Sequence, residues 1–250
     1  MKRVLLIVMD GWGLSPLKEG NATYIAKTPN LDWIYGNYPK TAISASGIDV
    51  GVTPGEVGNS EVGHLNLGSG RVVWENLPRI DQSIEKGEFF NNKNLQALVT
   101  HVKSGDSRLH LLGLCSAGGV HSSLNHLYAL LRLAKDSRIR EVYIHMITDG
   151  RDTAPKVALE DSKLIEAKIK EIGVGKIATI IGRFYAMDRD KHFERIEKAY
   201  KLWSSGQGDQ YPDPESGIDA NYRAGVDDEK LGPCLIDKNG LIKPGDGVVF

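Results

Sequence analysis

The sequence predicts an α/β fold: a parallel-sheet sandwich with helices on both faces. Three observations predict it. Between residues 108 and 203 the chain repeats an apolar run, a polar loop and an amphipathic stretch, three times in succession. Such strand–loop–helix units build parallel sheets with right-handed crossovers. Near the start, Val4–Met9 is apolar without interruption and ends at Asp10-Gly11, the pattern of a strand buried on both faces. Finally, 41% hydrophobic and 25% charged residues in a chain of 250 suffice for one large core or two modest ones.

Taken in order, Val4–Met9 is the first expected strand, central and parallel. Asp10 then stands at its carboxyl end, where open α/β sheets place ligands. The stretch PGEVGNSEVGH, residues 54–64, frames Ser60 with Gly55, Gly58 and Gly63. A helix is expected to start here, capped by Asn59 or Ser60. Leu109–Leu114 is the next strand, followed by the loop CSAGGVHSS and a helix with Leu124, Leu127, Tyr128 and Leu131 on one face. Val142–Ile147 leads through TDGRDTAP to a helix carrying Val157, Leu164, Ile165 and Ile172, which ends at Gly173. Lys176–Ile181 leads through GRFYAMDRD to a helix carrying Phe193, Ile196, Tyr200 and Trp203. Residues 204–225, rich in Gly, Pro, Asp and Ser, read as loop. LIDKNGLI reads as a hairpin around Asn239-Gly240. The closing GDGVVF reads as the opening of a buried strand, which marks the sequence as a fragment; a short edge strand is the alternative.

Composition excludes several classes. A net charge of −1 gives no basic field for nucleic acid and no polybasic membrane patch. Cys115 and Cys234 are the only cysteines, too few for a disulfide framework or a C-x-x-C zinc site. The six-residue run Val4–Met9 is too short for a signal core or a membrane span. A soluble cytoplasmic protein is expected. Neither the phosphate-binding nor the dinucleotide-binding glycine motif occurs, and H-E-x-x-H is missing. No nucleotide cofactor is expected.

Two groups of residues could carry chemistry. Three successive loops at one sheet edge would bring His121, Arg151, Asp152, Arg183 and Arg189 toward one crevice. Arginine forks bind carboxylate and phosphate bidentately, so the set suits a small, doubly anionic ligand. Each arginine could instead be a surface residue paired with Asp152, Asp188 or Asp190. His126 lies off the apolar face of its helix and is assigned no role. Ser60 could be a helix cap only, or a nucleophile at a helix N-terminus. A serine needs activation. The G-x-S-x-G elbow is missing, since Val62 stands at +2. A metal is the other activator, with Asp10 as a hard oxygen ligand.

Five segments then resemble one family: VMDGWG (8–13), GNSEVGHLNLGSGR (58–71), SAGGVHSS (116–123), TDGRDTAP (148–155) and GRFYAMDRDKHFERIEKAY (182–200). Long and in family order, they resemble the cofactor-independent phosphoglycerate mutases, metal-dependent enzymes of the alkaline phosphatase superfamily. The resemblance implies an N-terminal segment of a metal-binding phosphatase domain at 1–76 and an inserted phosphotransferase, substrate-binding domain at 77–250, both incomplete. It implies interconversion of 3-phosphoglycerate and 2-phosphoglycerate through a phosphoserine, without bisphosphoglycerate. Two divalent metals, manganese foremost, and a monomer are implied too. Asp10 and Ser60 match metal ligands, and Ser60 the nucleophile. His121, Arg151, Asp152, Arg183 and Arg189 match substrate-binding positions. Ala117 and Ser123 depart from the family, which commonly has an acidic residue and often a histidine there. Members are roughly twice this length, and the missing half is expected to hold the other metal ligands and most of the phosphatase sheet. The chain alone is therefore expected to be inactive. A truncated or split product needing a C-terminal partner is the alternative.

Overall fold

A computed structural model describes residues 3–105 and 107–250. The chain divides into two compact units, Met1–Pro78 and Arg79–Phe250.

In the first unit, short helices α1 (Ala22–Ile25) and α2 (Pro29–Asn37) precede α3 (Ser60–Ser69). Its core is three valines, Val50, Val52 and Val62. Polar contacts supplement this small core. Asn66 donates from Nδ2 to the Val50 carbonyl (2.8 Å) and accepts from the Val73 amide (2.6 Å). Gly58 is required by close approach: a Cβ there would lie 2.0 Å from the Ala45 carbonyl oxygen. The expected strand at Val4–Met9 does not form. The segment has no regular structure, and Val4, Leu5 and Ile7 are 92%, 82% and 72% exposed. Apolarity gives a segment strand character, but a strand exists only with a ladder partner. Among the described residues none pairs with it.

The second unit is organised by a sheet. Helix α4 (Asn76–Glu85) leads into it, followed by α5 (Lys93–Ser104) and strand β1 (Leu109–Leu114). Then come α6 (Leu124–Asp136), β2 (Val142–Thr148), α7 (Ala158–Ile172), β3 (Lys176–Gly182), the one-turn α8 (Arg183–Ala186) and α9 (Phe193–Ser205). Strand β4 (Asp209–Gln210), α10 (Pro214–Arg223), β5 (Cys234–Leu235) and β6 (Gly247–Val249) complete it. The strand order is β4-β5-β3-β2-β1-β6. All pairs are parallel except β3 with β5.

Side-chain parity puts a core on each face. Leu109, Leu111, Val142, Ile144, Met146 and Ile180 pack with Val102 of α5, Leu131 of α6, Ile165 of α7 and Ile218 of α10. Leu112, Ile147, Ile181 and Leu235 pack on the opposite face with Ala199 and Leu202 of α9. Each fully buried aliphatic side chain contributes about 2 kcal/mol. One row on the sheet is polar instead. His145 lies between Thr179 Oγ1 (2.8 Å) and His110 (2.9 Å), and His110 Nε2 reaches Asp246 (3.1 Å). Because Asp246 can only accept, His110 carries its proton on Nε2. Its Nδ1 then accepts from His145, whose own Nδ1 accepts from Thr179. Burial holds both imidazoles neutral, pushing His145 down to about 3.

Four expectations need correction here. Residues 204–225 are not all loop: Asp213 accepts from the Ser216 amide and caps α10. Asn239-Gly240 forms no hairpin but a 3-10 turn, Lys238–Gly240. Its glycine sits where a Cβ would meet Ala178 Cβ at 2.4 Å. Helix α9 buries Ala199 and Leu202, leaving Phe193 73% and Tyr200 65% exposed. Residue size misled there, because the small Ala199 marks the buried face. Leu164 of α7 is likewise exposed, while Ile165 is fully buried. The closing segment is an edge strand, β6 beside β1, with Val248 exposed. No described helix is long and apolar enough to cross a membrane.

Candidate functional site

Because β1, β2 and β3 run parallel, the loops after them leave at one sheet edge. The loop after β1 carries His121, that after β2 Arg151 and Asp152, and that after β3 Arg183 and Arg189. A fourth segment, 228–231, lies across them. It can do so because Gly150 and Gly182 lack a Cβ, which would stand 2.6 Å and 2.4 Å from the Glu229 backbone. A cavity of about 350 Å³ opens among these loops. His121, Arg151, Arg183 and Arg189 line it, together with Phe184, Met187, Asp188, Asp190, Arg195 and Glu229. Asp152 stands behind the lining, bonded to Arg183.

The four arginines are held differently. Arg183 is buried, and its Nη1 donates to Asp149 Oδ1 and Asp152 Oδ2, both at 2.6 Å. Burial alone would lower its pKa; the two carboxylates outweigh that and raise it. Only Nη1 is used, so the rest of the fork is available to a ligand. Arg195 donates to Asp188 (2.9 Å) and lies over the Phe184 ring at 3.9 Å. Arg151 is 3.6 Å from Glu229 and 63% exposed; such a surface pair is worth about 0–1 kcal/mol and yields readily to an anion. Arg189 is exposed, with no ion pair among the described residues. His121 lies 3.5 Å from Asp152 and is partly exposed. The arrangement therefore offers two fixed guanidiniums, Arg183 and Arg195, and two adaptable ones, Arg151 and Arg189, around a small polar cavity.

A larger cavity, about 640 Å³, opens at the amino ends of the strands, with Arg108, Lys176, Lys238 and Lys243 in its lining. Arg108 is committed there to Asp246 (2.7 Å) and to the Asn239 carbonyl (2.5 Å). Ligand chemistry in open α/β sheets belongs to the carboxyl ends instead, which favours the smaller cavity.

In the first unit, Asn59 caps α3 by accepting from the Val62 amide (2.9 Å), and Ser60 is the first helical residue. Ser60 Oγ donates to Asp10 Oδ2 at 2.6 Å. Asp10 and Ser60 line a trough of about 1070 Å³ with His64 and Arg71. His64 Nδ1 is 2.8 Å from the Ser60 carbonyl and 3.3 Å from Ser60 Oγ. A carbonyl can only accept, so Nδ1 carries the proton and cannot serve as base for the hydroxyl. Asp10 bonds serine, not histidine, so these three residues form no relay triad. For a metal, Asp10 and Ser60 are two hard oxygen donors in contact, which suits a divalent cation of the magnesium or manganese type. They fill part of its shell only. No cluster of three or more metal-binding His, Cys, Asp or Glu side chains occurs among the described residues.

The sequence reading missed several of these groups. Asp149 is buried at the end of β2 and binds Arg183. Its position after an apolar strand is the signal that singled out Asp10, and it applies equally here. Arg195 and Asp188 form a pair that only the fold reveals. His126, assigned no role, is 2.8 Å from Asp81 and ties α6 to α4. At the departures from the family pattern, Ala117 lies on the loop after β1, and Ser123 caps α6, its Oγ accepting from the Asn125 amide.

Residues 80–250 match the family model described as the BPG-independent PGAM N-terminus. The chain is 47% identical over 251 residues to the 2,3-bisphosphoglycerate-independent phosphoglycerate mutase of Listeria innocua, covering 99% of this chain and 49% of that protein. It is 47% identical over 253 residues to the enzyme of the same name from Clostridium novyi, covering 100% of this chain and 50% of that one. A crystal structure of Leishmania mexicana phosphoglycerate mutase at low cobalt concentration superposes with a TM-score of 0.73 and 29% identity. That match covers 96% of this chain and 47% of the other. The chain thus spans about half the length of the curated relatives it matches. With two thirds of its residues under the family model and its parallel sheet matched in a solved mutase, the chain belongs to the BPG-independent phosphoglycerate mutase family, in its N-terminal region.

Proposed function

We propose that this chain carries the phosphoglycerate-binding crevice and the phosphoryl-accepting serine of a mutase that interconverts 3-phosphoglycerate and 2-phosphoglycerate. On this reading residues 1–76 are the N-terminal segment of a metal-binding phosphatase domain and residues 77–250 the phosphotransferase domain. The observation that carries it is the cavity lined by His121, Arg151, Arg183 and Arg189, with Arg183 fixed by two carboxylates.

A phosphoglycerate presents a phosphate and a carboxylate a few ångströms apart. Arg183, preorganised by Asp149 and Asp152, takes one anion without paying to order its own side chain. Arg151 and Arg189 close on the other, and His121 donates to an anionic oxygen. In the first unit Ser60 Oγ attacks phosphorus, the bond from phosphorus to the substrate oxygen breaks, and the serine proton ends on that oxygen as the free hydroxyl, returning to Ser60 in the reverse transfer. The phosphoryl group then returns to the other glycerate hydroxyl. The α3 N-terminus supplies backbone N–H groups beside Ser60 for phosphoryl oxygens, and Asp10 orients the hydroxyl. Divalent metal, held in part by Asp10 and Ser60, would acidify that hydroxyl and offset phosphoryl charge. The remaining ligands would come from outside these residues.

The test is calorimetric titration of the 250-residue chain with 3-phosphoglycerate. Saturable binding is expected, weakened by Arg189→Ala; no binding at millimolar ligand sinks the substrate reading. An enolase-coupled assay of the same chain with Mn²⁺ is expected to show no turnover.

A further inference from the structure

We infer that Asp149 is the positioning residue of the crevice, one buried carboxylate that ties together the three loops bearing His121, Arg151, Asp152 and Arg183. The inference rests on reading the crevice as the anion site.

Asp149 is 3% exposed and stands at the carboxyl end of the central strand β2. It accepts three hydrogen bonds from two loops, and Ser116 of a third loop adds to the stabilisation of its charge. The amides of Arg151 (3.1 Å) and Asp152 (2.9 Å) come from its own loop. Arg183 Nη1 (2.6 Å) comes from the loop after β3, and Ser116, on the loop after β1, stabilises the same charge. Ser116 Oγ in turn accepts from the Gly118 amide (3.0 Å), which fixes the glycine-rich path toward His121.

The chemistry permits no slack in this arrangement. A buried carboxylate with fewer partners would carry an uncompensated charge. Burial pushes the Asp149 pKa up, yet its donors outweigh burial and hold it below the ordinary value. The charge therefore persists at neutral pH, and charge-assisted bonds are the strong ones. Arg183 is clamped between Asp149 and Asp152, and Asp152 is itself placed by its amide bond to Asp149. Asp149 does not line the cavity, so it acts through these neighbours.

The test is Asp149→Asn in the 250-residue chain, which keeps the shape and an acceptor but removes the charge. Without ligand, amide exchange should quicken at 116–121, 149–153 and 183–187 together, while the strands stay protected. Quickening confined to 149–153 overturns the coupling. With 3-phosphoglycerate as probe, affinity should fall by about tenfold or more, the worth of a hydrogen bond to a charged group. D149N combined with Arg183→Met should bind no more weakly than R183M alone; independent, additive losses would mean Asp149 serves the fold and not Arg183. If the unaltered chain binds no phosphoglycerate, the substrate reading fails and the exchange pattern alone decides Asp149. Should D149N not fold, Ser116→Ala takes its place: faster exchange at 151 and 152 supports coupling across Asp149, and unchanged exchange there overturns it.

Discussion

Two strand-like sequences in this chain met opposite fates. Val4–Met9 and Val142–Thr148 are both nearly continuous in apolar residues. The second is β2, buried along its whole length between two parallel neighbours. The first has no ladder, and its side chains face solvent. The difference lies in partners, not in propensity. An apolar run of this length carries the capacity for a buried strand, and the rest of a sheet must realise it. The same contrast separates the two units: the first has a three-valine core, while the second encloses its sheet between two apolar layers.

The largest effect expected from this contrast comes from paired truncations. Ile144→Ala, at 0% exposure in β2, should cost about 4 kcal/mol in urea unfolding. Leu6→Ala, 76% exposed, should cost within about 0.5 kcal/mol. Comparable losses at the two sites would show that Val4–Met9 packs as a strand after all.

Acid should sharpen the contrast at a second level, because the fully buried histidines lie in the second unit alone. His145 ordinarily titrates at 6.5, and burial, with His110 beside it, lowers this to about 3. A depressed histidine contributes stability that is complete above the unfolded value. That stability is lost as pH falls from about 6.5 toward about 3, since only the unfolded chain takes up the proton. The slope should approach ~1.4 kcal/mol per pH unit. The groups facing His145 are His110 and Thr179, and beyond His110 lie Asp246, Arg108 and Tyr143. Asp246, held down to about 2 by its donors against burial, stays ionised through this window. Chemical denaturation at stepped pH measures the slope. His145→Gln should flatten it, and an unchanged slope would assign the acid sensitivity elsewhere.

What was legible in the sequence follows the same division. The expected strands Leu109–Leu114, Val142–Ile147 and Lys176–Ile181 agree with β1, β2 and β3 to within a residue, because each has its helix and its neighbour nearby in the chain. The common sheet edge of their loops followed from that regularity. The antiparallel β5 was not legible, being two residues long. Nor was the polar row Asp246–His110–His145–Thr179. Its members look polar one at a time and become core only through register across three strands. Asp149 escaped for another reason. In TDGRDT it stands beside Arg151 and Asp152, which draw attention as ligand groups, while its role appears only once Ser116 and Arg183 are brought to it from distant loops. Local periodicity carries strand and helix identity. Charge pairing across loops is nonlocal and needs the fold.

The smallest expected effect concerns the helix that presents Ser60. Asn59 accepts from the Val62 amide and caps α3, and Val62 is the one side chain that helix buries. With so little tertiary packing, the cap carries an unusual share of the helix's stability. Asn59→Ala should therefore cost about 1 kcal/mol, read as roughly fivefold faster amide exchange across residues 62–66. Exchange in β1, β2 and β3 should not change, since the cost falls on a local opening of the first unit. If exchange in those strands accelerates equally, the two units unfold as one cooperative body. The contrast between a partnered and an unpartnered apolar run would then have to be replaced by a shared stability that both units draw upon.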